Sequence, residues 1–137
     1  MSIQATVKQL SSQWHSNAGV DSVQEFNSIE SSLGMALPAD YKYFMMWSNG
    51  GEGQLPGGYL AIYELEEVAD QQLPEMKGFF IFGLEGDHVF AFDTRSHQTT
   101  ADYSVVEFSL GSRDLDEIET VARDFDGFLQ RRMHAST

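Results

Sequence analysis

Apolar residues recur at helical spacing early in the chain, in strand-like runs through the middle, and at helical spacing again near the end. Ile3, Val7, Leu10 and Trp14 form one stripe closed by Asn17-Ala18-Gly19, which predicts a first helix. Ser22 with Glu25 three residues on is a capping-box pattern. The helix it opens carries Val23, Phe26, Ile29 and Leu33 inward and breaks at Gly34. Leu37 to Gly53 contains a third helix with both ends written in. Pro38 suits the first helical position, and Leu37 before it is pushed toward an extended conformation. Tyr41, Phe44, Met45 and Ser48 share one face, and Asn49-Gly50-Gly51 stops the helix. A helix so short and so aromatic is expected to be buried on most sides.

Beyond it the period changes. Gln54 to Gly58 reads as a loop, and Tyr59 to Tyr63 alternates as a strand does. Glu64 to Asp70 reads as a helical turn, with Leu65 and Val68 facing in and glutamates facing out. Phe79 to Phe82 is a fully apolar strand, Gly83 to Asp87 its turn, and His88 to Asp93 the return, with a loop longer than two residues. Tyr103 to Phe108 is a further strand, antiparallel to its predecessor, reached through a polar connection over Thr94 to Thr100. A last helix is expected to begin near Asp114, with Glu117 completing a cap. Leu115, Ile118, Val121, Ala122, Phe125, Phe128 and Leu129 lie on its inner arc, and Asp116, Glu117, Arg131 and Arg132 are placed to suit the helix dipole. The order predicts an α+β fold: N-terminal helices, a central, mainly antiparallel sheet, and a C-terminal helix packed on the sheet. At 137 residues, one domain over 1–137 is the expectation.

Charge narrows the function classes. The chain has 21 acidic and 8 basic residues, a formal net charge of −13. Such a surface repels nucleic-acid phosphates and anionic lipids, so neither nucleic acid nor membrane is an expected partner, whereas a basic protein is. There is no apolar run long enough to span a bilayer and no secretory signal pattern at the N-terminus, so cytoplasmic residence is expected. The chain has no cysteine, which excludes disulfides and thiolate chemistry.

Catalytic and metal motifs are not found. His15, His88, His97 and His134 are scattered without ligand spacing, and His88 and Asp93, five apart on one strand, point to opposite faces. No metal site and no cofactor are expected. Asn49 to Gly53 and Gly57-Gly58 are glycine-rich, but they follow a helix and include Glu52, so they read as caps and turns rather than a phosphate cradle. There is no Gly-x-Ser-x-Gly, and carboxylate pairs are too abundant for any one of them to mark an acid–base dyad. Phe79 to Phe82 reads as core rather than as a ligand pocket. The expected protein is not an enzyme.

A pattern does emerge from the residues taken in order. Val23-Gln24-Glu25-Phe26, Ile29-Glu30, Leu33-Gly34, Leu37-Pro38-Ala39-Asp40-Tyr41, Phe44 and Asn49-Gly50-Gly51 resemble the N-terminal signature of the SUKH superfamily. Phe80-Ile81-Phe82-Gly83 followed by Phe90-Ala91-Phe92-Asp93 resembles its central hairpin, and Asp124 to Leu129 its closing helix. The likeness runs from about residue 21 to 132. It departs from the family at the hairpin tip, where Leu84-Glu85-Gly86-Asp87-His88 replaces a basic, glycine-rich turn. The resemblance implies an α+β domain and, for bacterial members, often an immunity role: binding a cognate toxin, frequently a nuclease, without catalysis. Eukaryotic relatives resemble regulatory scaffolds.

The leading expectation is an immunity protein that neutralises a toxin by charge-complementary binding. The partner-binding carboxylates expected from their loop and turn positions are Glu52, Glu64, Glu66, Glu67, Glu85 and Asp87. For each taken singly, a solvated acidic surface explains the residue as well. The alternatives are a scaffold that binds a host protein and a small-molecule-binding domain using a pocket behind the hairpin. No oligomeric state follows from the sequence.

Overall fold

A computed structural model describes residues 2–95, 103–111 and 117–134 of the chain. Helices α1 (Ile3–Leu10), α2 (Val23–Leu33) and α3 (Ala39–Trp47) come first. Strands β1 (Gly51–Leu55) and β2 (Gly58–Ile62) follow, then the single-turn helix α4 (Leu65–Val68). Strands β3 (Phe79–Glu85), β4 (His88–Asp93), β5 (Ser104–Ser109) and β6 (Glu119–Ala122) lead to helix α5 (Phe125–Met133). The six strands form one antiparallel meander in chain order, β1-β2-β3-β4-β5-β6. The α+β expectation holds, with α5 packed on the sheet.

The sheet separates two apolar clusters. Phe80, Phe82, Phe90, Phe92 and Val105 face the helices, where Tyr41 and Phe44 of α3 meet Phe125 and Phe128 of α5. Tyr41 has no exposed surface and stands edge-on to Phe80, Phe92 and Phe125, so one face of the aromatic helix lies at the centre of the core. The helix is not buried on most sides, however, since Met46 stands in solvent. On the opposite face Phe79, Ile81, Val89, Ala91, Val106 and Phe108 pack beneath Leu73, Met76 and Ile118.

Several boundaries differ from the sequence expectations, each for a physical reason. The first helix stops at Leu10, and a 3₁₀ turn over Ser11–Gln13 delivers Trp14 in an extended conformation edge-on to Phe44. Val23 stands in solvent rather than in the core, because the Ser22 cap, whose hydroxyl accepts from the Gln24 N–H, leaves it on the outer side of α2. Residues 51–55, expected to be cap and loop, form β1. Gly53 and Leu55 point inward, Glu52 and Gln54 point outward, and Pro56-Gly57 alone makes the turn to β2. The β3–β4 turn is also tight: Glu85 pairs with His88, and Gly86 takes the positive φ (61°) that a two-residue hairpin turn needs. A bulge between Ile81 and Gly83 absorbs the extra residue.

The largest correction is at the C-terminus. Asp114, Leu115 and Asp116, like His97, lie outside the described residues, but no helix runs from Glu117 through Ala122. Glu119–Ala122 is a strand, and α5 starts at Phe125, capped by the Asp124 carboxylate accepting from the Gly127 N–H (2.7 Å). Thr120 and Val121 favour extended structure, and β5 offers them an edge. Ile118 packs on one face of the sheet and Phe125 on the other, so the apparent helical arc spans two elements. Arg131 and Arg132 do end α5 as expected, and Asp126, not Asp116 or Glu117, supplies the acidic first turn.

Two polar devices hold this arrangement. The buried Thr6 hydroxyl of α1 contacts the Asp126 carboxylate and accepts from the Gln130 amide (2.7 Å), while the Asp126 N–H donates to Asp40 of α3 (2.9 Å). Burial pushes the Asp40 carboxyl up, reinforced by the charges of Asp124 and Asp126 and opposed by its backbone hydrogen bonds.

The second device is Gln72. Strand β2 pairs with β3 only at Leu84 and Gly83, and past that point the Gln72 side chain takes over. The Ile81 N–H donates to Gln72 Oε1 (2.9 Å), and Gln72 Nε2 donates to the carbonyls of Ile81 (2.9 Å) and Val68 (2.8 Å). Gln72→Leu leaves these part-buried backbone groups unpaired and is expected to cost about 2–4 kcal/mol. The loss would appear as a lower urea midpoint at unchanged m; an unchanged midpoint would show that the amide is not a strand substitute.

Candidate protein-binding surface

The β1–β2 hairpin, the turn that follows it and the segment before α2 build an acidic rim. Gly50 bends the chain out of α3 so that β1 starts beside residues 14–18. The His15 N–H donates to the Glu52 carbonyl (2.7 Å), and the Glu52 N–H donates back to His15 (3.4 Å). This bridge fixes the backbone of Glu52 from one side. From the other, the Tyr59 hydroxyl donates to the Glu52 carboxylate, which pushes the Tyr59 phenol up.

Glu64, Glu66 and Glu67 come from the entry to α4. The Asn49 side chain ties this turn to the end of α3: its Oδ1 accepts from the Leu65 N–H (2.8 Å) and its Nδ2 donates to Glu66 (3.5 Å). A hydrogen bond with Glu66, then burial and the charges of Glu66 and Glu67, push the Glu64 carboxyl up. Burial and then the charge of Glu67 push the neighbouring Tyr63 phenol up as well. Glu52, Glu64 and Glu67 converge on one cavity of about 370 Å³, which is also lined by His15, Asn17, Ala61 and Tyr63. No lysine or arginine lines it, and among the described residues none pairs with Glu52, Glu64, Glu66 or Glu67.

The other two expected residues sit elsewhere. Glu85 and Asp87 belong to the end of the β3–β4 hairpin, and neither lines that cavity. Glu85 is engaged by Arg132, whose Nη2 lies 2.6 Å away and also donates to the Tyr59 carbonyl (3.1 Å), while the guanidinium covers the Phe90 ring. Asp87 is exposed and lies 3.8 Å from His88, whose Nδ1 is 3.0 Å from Glu107. His15, His88 and His134 are exposed and apart, and among the described residues no group of three histidines or carboxylates is arranged to hold a metal ion.

Sequence reasoning did not select Tyr59, Tyr63, Asn49 or His15 for this surface. The available signal was the alternation Tyr59-x-Ala61-x-Tyr63 against Leu60 and Ile62: one set builds the core, so the other must face outward. The contact of His15 with Glu52 is long-range and leaves no local pattern.

Among the described residues no helix is long and apolar enough to cross a membrane. No curated protein matches the chain. A family model, the SMI1 / KNR4 family (SUKH-1), matches residues 22–131, from the Ser22 cap of α2 to the last turn of α5. That span takes in α2, the aromatic α3, α4, the described strands and most of α5, and the chain belongs to the SMI1 / KNR4 family (SUKH-1).

Proposed function

We propose that the chain is a single, non-catalytic protein-binding domain over residues 1–137, an immunity protein that neutralises a cognate toxin in the cytoplasm by charge-complementary binding. The family accords with a protein-binding role of the immunity type. The observation that carries the reading further is the rim itself: three carboxylates, Glu52 from β1 and Glu64 and Glu67 from the α4 entry, line one cavity that no lysine or arginine lines, on a chain of net charge −13. Like charges held together on a rigid scaffold repel one another until a cation arrives, and a nuclease-type toxin must itself carry a basic groove for its substrate.

The test is capture with the full chain as bait in its native cell, followed by stopped-flow association with the captured polypeptide. A basic toxin whose activity stops on mixing is expected. Replacing Glu52, Glu64, Glu66, Glu67 and Glu85 by Gln and Asp87 by Asn is expected to slow association about ten-fold or more at low salt and to flatten its salt dependence. Because Glu85→Gln also removes the partner of Arg132, the variant's melting curve is checked first. Equal association rates at low salt would sink the proposal.

A further inference from the structure

We infer that the open outer face of the β1–β2 hairpin is the docking surface for a basic polypeptide, one arginine of which enters the cavity beside Tyr63. This rests on the protein-binding reading above and specifies where and how it is realised.

Strand parity defines the face. Leu55, Leu60 and Ile62 point to the helices and are buried. Glu52, Gln54, Tyr59 and Ala61 point the other way, and Leu84 lies opposite Ala61 on β3. Farther along the same face the side chains are covered by Leu73, Met76 and Ile118. That cover does not extend over β1 and β2, where Tyr59 remains 36% exposed and Ala61 and Leu84 are half-buried. A sheet face with an aromatic and small-apolar centre is left open at one end of the molecule.

Charge complementarity selects the occupant. Every side chain lining the cavity at this face that is charged at neutral pH is a carboxylate: Glu52 on one side, and Glu64 and Glu67 on the other. A carboxylate or phosphate ligand would meet repulsion from each. Arginine fits better than lysine because its planar guanidinium stacks on a tyrosine ring while its fork reaches two carboxylates at once. The parts are also held before a partner arrives, since Tyr59 fixes the Glu52 carboxylate and the His15 bridge fixes its backbone. A preorganised carboxylate spends less ordering entropy on binding than a mobile one would. The hairpin tip lacks these features, because Glu85 is already matched by Arg132.

The test uses the full ¹⁵N-labelled chain titrated with a ten-residue alternating Gly-Arg peptide and with its Gly-Lys counterpart at physiological salt. Amide shifts are expected to concentrate in residues 15–17, 51–54 and 59–67. The arginine peptide is expected to bind about three-fold or more tighter than the lysine peptide, as a stacked, forked contact requires. The double variant Glu52→Gln, Glu67→Gln should weaken binding about five-fold or more, while Glu25→Gln with Glu119→Gln, which removes the same charge from exposed sites outside the proposed surface, should change it less than about two-fold. All four side chains are exposed, and the amide spectrum reports directly whether each variant is folded. Equal losses for the two doubles, no preference for arginine, or shifts spread over the whole acidic surface would overturn the inference. A captured toxin that binds the Glu52→Gln, Glu67→Gln variant unchanged would remove this site and leave the proposed function standing. Local, arginine-selective peptide binding would sustain the site even where no toxin is captured.

Discussion

Phe82→Ala is expected to cost about 3–5 kcal/mol, a large share of the roughly 5–15 kcal/mol by which a domain of this kind is stable. Phe82 has no exposed surface and lies where sheet and helices meet. Its ring centroid is 4.6 Å from Phe92 in the neighbouring strand, 5.4 Å from Phe125 and 5.5 Å from Phe128 in α5, and 6.2 Å from Tyr41 in α3. Removing it leaves a cavity walled by four aromatic rings whose own backbones belong to three different elements. Such rings have few rotamers with which to collapse into the space, so both the transfer loss and the cavity cost should be felt. The measurement is the urea midpoint with the m-value checked for constancy. A loss below about 1 kcal/mol would show that α3 and α5 re-pack freely, and that this cluster does not fix the helices on the sheet.

That cluster was largely legible in the sequence, and the contrast with what was not is instructive. Phe79 to Phe82 is apolar on both faces because the sheet is covered on both sides, and the residues report that directly. The aromatic α3 and its proline entry are local signals and reappear, with Pro38 as the cap before Ala39 rather than the first helical residue, whereas the helix closes on an extended Ser48 and Gly50 turns the chain into β1. The errors arise where pairing is non-local. Residues 51–55 carry too many glycines to read as a strand, and become one because β2 and His15 supply partners on both sides. Residues 118–129 hold a helical period by coincidence, since Ile118 and Phe125 lie on opposite faces of a sheet that no local pattern records. The six carboxylates follow the same division. Glu64, Glu66 and Glu67 are neighbours in sequence and were bound to fall together, whereas the arrival of Glu52 beside them depends on the turn out of α3. The ion pair that engages Glu85 comes from Arg132, 47 residues away, and has no signature in either segment.

The turn out of α3 therefore carries the site, and Gly50→Ala is expected to cost about 3 kcal/mol or more. Gly50 has φ 74°, where a side chain costs roughly 1–2 kcal/mol by itself. It also lies against backbone: an added Cβ would sit 2.5 Å from the Ile62 carbonyl oxygen, 2.8 Å from the Glu64 nitrogen and 2.9 Å from the Tyr63 carbonyl carbon. None of these atoms can rotate away, so the end of β2 must move. The Gly50 carbonyl accepts from the Ser48 hydroxyl (2.7 Å) and from the Trp14 indole (3.3 Å), so a shift here also loosens the segment that carries His15. Gly34→Ala separates the two contributions: Gly34 has a similar φ of 68° but nothing within 4 Å of its added Cβ, so it should lose about 1 kcal/mol. The excess in Gly50→Ala measures the backbone contact, and equal losses at the two positions would refute it. Glu52 lies two residues after Gly50, and the backbone nitrogen of Glu64 is itself among the atoms that the new methyl would displace. The folded fraction of Gly50→Ala should therefore also lose its preference for the arginine peptide, whereas Gly34→Ala should keep it. A Gly50→Ala protein that still distinguishes arginine from lysine as the parent does would show that the carboxylates converge without this turn.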